Sequence, residues 1–223
     1  MSRPEGPAPP ASSVFVVGFD LDLTLVDSAA GIAATVAAVT AEVGTAVGAE
    51  QVWPLIGVPL EHLLTTVAPG HDADALVARY RALYPTVGVP PITLLPGAAD
   101  AVAAVRAAGG EVVVVSTKVE AAVRVVLEHV GLVEGREIAA VAGGVFGADK
   151  GPALRRLGAA VFVGDHPGDI AAARSAGAWA VAVATGPYPA PELAQADVVL
   201  ADLTAFPAWL AAHMSRDLHL QHR

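Results

Sequence analysis

Four aspartates in two short segments have the types and spacing of a metal and phosphate site. Asp20 and Asp22 are separated by one residue, and Asp165 and Asp169 are separated by three. Each pair comes at the end of a short apolar run of the kind that forms a buried strand. Buried carboxylates repel each other and lose hydration, which is costly unless a cation or a proton compensates. Oxygen ligands without cysteine or histidine favour a hard cation, above all Mg²⁺.

An aspartate at the end of a strand also has an ordinary structural role, because it can cap the helix that follows. Asp27 and Ser28 suit such a cap, and Asp165 precedes Pro167, a residue that favours the first turn of a helix. Capping explains either pair alone more easily than it explains both. Two separate strands that end in paired carboxylates therefore favour the metal interpretation.

Hydroxyl and ammonium side chains lie at two further points where a predicted strand ends or a predicted helix begins. Ser116, Thr117 and Lys118 follow the apolar run Val112–Val115, and Lys150 lies in a glycine-rich turn before a predicted helix. Each has an ordinary alternative, since serine and threonine often cap helices and a loop lysine is usually solvated. Together with the aspartates, they supply a nucleophile, oxygen ligands for Mg²⁺ and groups that hold phosphate oxygens. These are the requirements of phosphoryl transfer.

The elements that must position these residues alternate between strands and helices. Apolar runs rich in β-branched residues predict strands at residues 14–19, 111–115, 138–141, 160–163, 179–183 and 197–200. Helices are predicted between and after them at residues 97–108, 119–130, 151–157, 167–176 and 203–212. This alternation predicts an α/β fold, with a Rossmann-like parallel sheet covered by helices on both faces. Ligands of such sheets bind outside the carboxyl ends of the strands, where the polar residues lie.

An insert interrupts this alternation after the first strand. The segment from Ser28 to about Pro91 contains predicted helices and no convincing strand. One apolar helical face recurs at Ile32, Val36, Val39, Val43 and Val47. Further helices are predicted at residues 59–67 and 72–84, and Pro85 is expected to end the second of them.

These patterns divide the chain into a core and a cap. The α/β core is expected to comprise residues 14–27 and 92–212, and a small all-helical cap is expected at residues 28–91. Residues 1–13, rich in proline, alanine and serine, are expected to form a flexible leader, and residues 213–223 a tail.

Composition and charge exclude several classes of function. Of the 223 residues, 54% are hydrophobic and 16% are charged, which excludes disorder except at the ends. The net charge of −9 argues against a nucleic-acid partner and against an anionic membrane surface. The absence of cysteine excludes disulfides and thiolate chemistry. No apolar run is long enough to span a membrane and the N-terminus lacks a signal-peptide pattern, so a cytoplasmic protein is expected, with its oligomeric state open.

Taken in chain order, the motifs resemble those of the haloacid dehalogenase superfamily of aspartate-dependent phosphohydrolases. The first motif of that superfamily, Asp-x-Asp-x-Thr, corresponds to Asp20, Asp22 and Thr24. The second is a serine or threonine that ends a strand, and it corresponds to Ser116 or Thr117. Ser116 is favoured because it directly follows the strand.

The third and fourth motifs follow in the order of the superfamily. The lysine of the third corresponds to Lys150, and the fourth, Gly-Asp-x-x-x-Asp, corresponds to Gly164, Asp165 and Asp169. Two departures accompany the match: Leu23 stands where glycine is usual, and Gly-Pro follows the lysine where proline alone is usual. The helical insert is similar to the cap of the phosphoglycolate phosphatase-like subgroup.

The resemblance implies a phosphatase that works in two nucleophilic steps. Asp20 would attack the phosphorus of a small phosphorylated metabolite and form an aspartyl-phosphate, which water then hydrolyses. Asp22 would protonate the leaving alkoxide and afterwards activate the water. The cofactor Mg²⁺ would be held by Asp20, the main-chain carbonyl of Asp22, Asp165 and Asp169.

The same resemblance implies the remaining contacts. Ser116 and Lys150 would be catalytic groups that hold phosphate oxygens, and Lys150 would also offset the crowded carboxylates. Thr24, Thr117 and Lys118 would supply further contacts to the substrate or its phosphate. The cap would close over the substrate and exclude bulk water.

Other functions fit the same residues. A sugar phosphomutase could use the same core and cap, but it would interconvert two phosphate positions and release no inorganic phosphate. A phospho-aspartate switch or a non-catalytic binding protein could also use an aspartate, Mg²⁺ and a lysine. It would need neither Asp22 nor an insert of about 60 residues. Dehalogenation is disfavoured because it has no leaving alkoxide to protonate.

Overall fold

The computed structural model describes residues 14–220, with side chains described up to residue 213. The predicted leader at residues 1–13 lies outside the described residues. The strands are β1 (Val16–Phe19), β2 (Val26–Asp27), β3 (Thr93–Leu94), β4 (Glu111–Val115), β5 (Ala140–Ala142), β6 (Ala159–Gly164), β7 (Trp179–Val183) and β8 (Val198–Leu200). Six of them form a parallel sheet in the order β5–β4–β1–β6–β7–β8.

Helices follow most of these strands. They are α1 (Ala29–Glu42), α2 (Ala49–Val52), α3 (Leu60–Val67), α4 (Ala73–Val87), α5 (Ala98–Ala107), α6 (Glu120–His129), α7 (Lys150–Arg156), α8 (Pro167–Ala176) and α9 (Phe206–Leu220). Short 3₁₀ turns lie at Trp53–Leu55, Gly147–Asp149, Ala190–Leu193 and Leu203–Ala205. None of the described helices combines the length and hydropathy needed to cross a bilayer.

Alternate residues of the central strands enter two apolar clusters, one on each face of the sheet. Phe19 of β1 packs with residues of α5, α6 and α9 on one face. Val16 of β1 and Phe162 of β6 pack with residues of α7 and α8 on the other. Strands covered on both faces are apolar at every position, which explains the continuous valine runs. The predicted α/β fold with a parallel sheet is confirmed.

The insert is helical and packs onto the core. Helices α1 to α4 occupy it, and its buried apolar residues belong to the same cluster as those of the sheet. Val26 of β2 pairs with Leu94 of β3 in an antiparallel arrangement that the sequence did not predict. This pairing joins the segment that leads into the insert to the segment that leads out of it.

Predicted boundaries differ from the structure most clearly in three helices. α1 ends at Glu42, so Val43 and Val47, which were predicted to continue its apolar face, lie beyond the helix, and Val43 is 38% exposed. α4 runs through Pro85 and ends at Val87, because a proline so close to the end of a helix removes a hydrogen bond only from its last turn. α9 continues to Leu220, so most of the predicted tail at residues 213–223 is helical.

Helices α1 and α4 approach each other closely through glycine. A Cβ atom on Gly31 would lie 1.9 Å from the carbonyl oxygen of Gly88, so the contact requires that this position lacks a side chain. Outside this contact, the guanidinium of Arg79 donates to both carboxylate oxygens of Glu42 at 2.7–3.0 Å. These contacts hold α4, the longest helix of the insert, against α1. They therefore fix which face of α4 lies toward the sheet.

Candidate active site at the carboxyl edge of the sheet

Three predicted site residues end three neighbouring strands. Asp20 follows β1, Ser116 follows β4 and Asp165 follows β6. β1 lies between β4 and β6, and the direction in which successive strands are added to the sheet reverses there. In open α/β sheets, the ligand crevice forms at such a reversal, outside the carboxyl ends of the strands. The fold therefore brings the separate motifs to one edge.

The carboxylates of Asp20, Asp165 and Asp169 form a buried cluster. One oxygen from each lies within 4.8 Å of the others, and all three residues are at most 5% exposed. Asp169 lies in the first turn of α8, where its Oδ2 accepts a hydrogen bond from the amide of His166 at 3.2 Å. This hydrogen bond fixes the orientation of the carboxylate and leaves Oδ1 facing the cluster.

Lys150 connects two members of this cluster. Its ammonium donates a hydrogen bond to Oδ1 of Asp169 at 2.7 Å and forms an ion pair with Oδ1 of Asp20 at 2.9 Å. Burial alone would lower the pKa of Lys150, but the carboxylates of Asp169 and Asp20 outweigh it and raise the pKa above its ordinary value. The buried ammonium therefore stays charged.

Burial, together with repulsion between neighbouring carboxylates, raises the pKa of two of the carboxyl groups. Burial raises the pKa of Asp20 to about 7, with repulsion from Asp169 adding to the effect and attraction by Lys150 opposing it. Burial also raises the pKa of Asp165 well above its ordinary value, and repulsion from Asp20 and Asp169 adds to this. Thr24 opposes the shift, because its hydroxyl donates to Oδ1 of Asp165 at 3.0 Å.

The charges at this edge are unbalanced, and the imbalance fits a divalent cation. Four carboxylates meet two ammonium groups, which leaves two negative charges (four minus two) when all are ionised: Asp20, Asp22, Asp165 and Asp169 against Lys118 and Lys150. Oδ1 of Asp22 is buried and accepts no hydrogen bond within the described part of the chain, whereas Oδ1 of Asp20 has Lys150 as a close charged partner. Buried negative charge without a matching cation is costly, and a hard cation would balance it.

Asp22 and Lys118 form a second charged pair beside the cluster. Nζ of Lys118 lies 3.3 Å from Oδ2 of Asp22 and 4.4 Å from the ring centroid of Tyr84 on α4. Burial would lower the pKa of Lys118, but Asp22 together with Tyr84 and Tyr80 outweighs it and raises the pKa above its ordinary value. Ser116 is buried, and its Oγ accepts a hydrogen bond from the amide of Lys118 at 3.3 Å. The insert therefore contacts the motif residues directly.

Two predicted phosphate ligands donate to protein groups in this structure. The hydroxyl of Thr24 donates to Asp165, and the hydroxyl of Thr117 donates to the main-chain carbonyl of Gly57 in the insert at 2.9 Å. The contacts of both hydroxyls with phosphate stay predictions. Their observed partners show that Thr24 orients an aspartate and that Thr117 links the insert to the core.

The loop after β7 is a part of the site that the sequence did not identify. A Cβ atom on Gly186 would lie 1.8 Å from Oδ2 of Asp165, so the carboxylate occupies the space of a side chain. Thr185 donates a hydrogen bond to the carbonyl of Leu23. Leu23 adopts a φ of 57°, the left-handed region that favours glycine, which accounts for the glycine usual at this position. The Thr-Gly-Pro that follows β7 is the signal that sequence reasoning could have used.

A cavity of about 650 Å³ is lined by residues of both the insert and the core. Asp22 and Lys118 line it from the core, and Tyr80 and Tyr84 line it from α4. The cavity therefore reaches the charged edge of the sheet and has the size of a small-molecule site.

Comparison with a family model identifies the chain. The model of the haloacid dehalogenase-like hydrolase family matches residues 17–183, which is more than half of the sequence. The chain belongs to this family, and the resemblance inferred from its motifs is confirmed.

Individual relatives refine this placement. A phosphoglycolate phosphatase from Xylella fastidiosa is 33% identical over 189 residues, which cover 75% of this chain and 80% of the relative. The tyrosine-protein kinase PtkA from Mycobacterium tuberculosis is 29% identical over 189 residues, which cover 79% of this chain and 64% of the relative. The chain thus spans less than two thirds of the length of that kinase.

A solved structure confirms the fold. A haloacid dehalogenase-like family hydrolase from Streptococcus pneumoniae superposes with a TM-score of 0.76 at 22% identity, over 91% of this chain and 99% of that one. At this identity the likeness concerns the fold alone.

The buried carboxyls predict that the metal-free protein loses stability as pH rises. The pKa of Asp20 rises from 3.8 to about 7 on folding, so its protonation stabilises the fold fully below pH 3.8, and this contribution is lost as pH passes 7. In EDTA, the Tm of the wild type should fall more between pH 5.5 and 8.5 than that of Asp20→Asn. The control Asp100→Asn, which changes an exposed carboxylate, should keep the wild-type slope. Equal slopes for the wild type and Asp20→Asn would contradict this interpretation.

If the acidic cluster holds Mg²⁺, the contact between Gly186 and Asp165 predicts a weaker response to Mg²⁺ in Gly186→Ala. The added Cβ would displace the carboxylate, and we expect the Mg²⁺ concentration for a half-maximal rise in Tm to increase roughly 10- to 100-fold. Gly48→Ala is the matched control, because the atoms nearest to its Cβ would belong to the flexible, exposed side chain of Glu50. An unchanged Mg²⁺ response in Gly186→Ala would show that this loop does not position a ligand.

Proposed function

We propose that this member of the haloacid dehalogenase-like hydrolases is a Mg²⁺-dependent phosphatase that hydrolyses a small phosphomonoester through an aspartyl-phosphate on Asp20. The observation that carries the proposal is the buried cluster of Asp20, Asp165 and Asp169 with the ammonium of Lys150 between two of them. The family match supports hydrolase chemistry, and the similarity to a phosphoglycolate phosphatase supports a phosphomonoester substrate.

The residues of the site fit Mg²⁺. The carboxylates of Asp20, Asp165 and Asp169 would hold the ion, and the main-chain carbonyl of Asp22 would be a further ligand. The three converging buried carboxylates and the two uncompensated negative charges support this assignment. When bound, Mg²⁺ would supply positive charge to the phosphoryl group during transfer.

Asp20 is the proposed nucleophile. It must be ionised to attack, and Lys150 at 2.9 Å favours the ionised form. As the bond between its oxygen and the phosphorus forms, the bond from phosphorus to the leaving oxygen breaks. Water then attacks the phosphorus, which releases inorganic phosphate and restores the carboxylate of Asp20.

Asp22 is the proposed acid and base. Its Oδ2 lies 3.3 Å from Lys118, whereas its Oδ1 is buried without a hydrogen-bonding partner among the described residues. A proton on Asp22 would pass to the leaving alkoxide in the first step. The resulting carboxylate would take a proton from the attacking water in the second. Lys118 holds the side chain in place for both transfers.

The remaining polar groups would hold the phosphate or position its ligands. Ser116, Lys118 and Lys150 would contact phosphate oxygens, since all three lie at the edge where the aspartates converge. Thr24 would keep Asp165 oriented, and Thr117 would hold the insert near the core and so help to exclude water.

Two other acceptors of the phosphoryl group are distinguished from water by measuring the release of inorganic phosphate. A sugar phosphomutase would return the group to a second hydroxyl of the substrate, and the activity named for the mycobacterial relative would place it on a tyrosine. We favour transfer to water because Asp22, a group able to activate water, lines the cavity beside the acidic cluster. Inorganic phosphate released in equal amount to substrate consumed identifies hydrolysis.

The nucleophile assignment predicts that Asp20→Ala abolishes Mg²⁺-dependent release of phosphate from a generic phosphomonoester. We expect kcat to fall by at least roughly 10³-fold, because the substitution removes the carboxylate that would take the phosphoryl group. Asp20→Asn should behave alike at first, although asparagine there can slowly deamidate. Asp27→Asn is the matched control, since Asp27 is an exposed aspartate of the same segment. Turnover of Asp20→Ala at the wild-type rate would refute the assignment.

A further inference from the structure

The cavity beside Asp22 is large and mainly apolar. Its volume of about 650 Å³ lies in the range of about 300–1,000 Å³ that accepts drug-sized ligands. α4 lines it with Val77, Tyr80 and Tyr84, whose spacing places them on one face of the helix. The rings of Tyr80 and Tyr84 are stacked, with centroids 5.4 Å apart. A two-carbon leaving group would leave most of this space unfilled.

The charges that line the cavity disfavour a second anionic group on the substrate. Lys118 is largely buried but is already paired with Asp22. The other charged lining residues, Glu61, Asp74 and Arg81, are all exposed to solvent. Three negative and two positive side chains leave a net charge of −1 (two minus three). A carboxylate on the leaving group would therefore lose hydration without gaining an unpaired buried cation among these residues.

A neutral polar group lies among the apolar walls. The hydroxyl of Tyr84 is buried beside the ammonium of Lys118, and the residue itself is 3% exposed. Because an ammonium donates hydrogen bonds and does not accept them, the hydroxyl hydrogen could donate to an uncharged oxygen of a bound molecule. Its position on α4 places it beside Lys118 and so near the phosphate end of the cavity.

We infer that the site selects phosphomonoesters whose leaving group is uncharged, mainly apolar and about the size of an aromatic ring, in preference to a short carboxylic acid. This inference rests on the phosphatase activity proposed above and names the class of its substrate. The apolar face of α4 would recognise the leaving group, and the absence of an unpaired buried cation among the described lining residues would exclude the acid.

The test compares benzyl phosphate, ethyl phosphate and 2-phosphoglycolate with the full chain and Mg²⁺. All three leaving groups are primary alcohols, so differences in kcat/KM report recognition more than leaving-group chemistry. We expect benzyl phosphate to exceed ethyl phosphate by roughly tenfold or more and 2-phosphoglycolate to be the poorest of the three. A kcat/KM for 2-phosphoglycolate equal to or above that for benzyl phosphate would overturn the inference and leave the phosphatase assignment intact. Failure to release phosphate from any of the three would refute both.

Adding a cation to the wall should reverse the preference. Val77→Lys places an ammonium on the cavity face of α4, and it should raise the ratio of 2-phosphoglycolate to benzyl phosphate turnover by roughly tenfold or more. Leu60→Lys, on α3, provides the same test at a second, half-buried lining position. Ala82→Lys is the matched control, because residue 82 lies on the exposed side of α4 outside the cavity lining. An unchanged ratio in both wall variants, with folding verified by circular dichroism, would show that the cavity does not bind the leaving group.

Discussion

Repulsion among buried carboxylates at the edge of a parallel sheet is the constraint on which the rest of this structure depends. One carboxylate oxygen from each of Asp20, Asp165 and Asp169 lies within 4.8 Å of the others. Burial, together with repulsion from the neighbouring carboxylates, raises the pKa of Asp20 to about 7. Lys150 offsets part of the charge through contacts of 2.7 and 2.9 Å. The negative charge that stays uncompensated is the amount that one divalent cation would balance, and phosphoryl transfer also needs a cation. The charge repulsion that destabilises this edge and the cation site of the proposed function thus come from the same carboxylates.

The fold supplies the setting in which this arrangement can exist. Strands covered on both faces deliver their terminal polar residues to a single crevice, and the helices of the insert pack onto the same apolar cluster as the sheet. Because α4 brings Tyr84 over Lys118, the insert forms one wall of the cavity that begins at the charged edge. A molecule bound there would be shielded from bulk water at its phosphate end and would meet an apolar surface at the other.

Much of this could be predicted from the sequence, because buried strands and the polar residues that end them are local patterns. The valine run before Ser116 and the apolar run before Asp20 predicted both the sheet and the edge where the site forms. Contacts between residues far apart in the chain have no such local pattern in the sequence. The contact of Lys150 with Asp169, the fit of Asp165 against Gly186 and the pairing of β2 with β3 all join segments that only the folded chain brings together.

Titration of the protein with Mg²⁺ by isothermal calorimetry tests the central claim most directly. If the crowded carboxylates form a cation site, the wild type will bind one Mg²⁺ ion per chain. Asp165→Asn, which stays folded by circular dichroism, will then bind it at least roughly tenfold more weakly. Saturable binding that is unchanged in Asp165→Asn, or no binding to the wild type, would contradict the account.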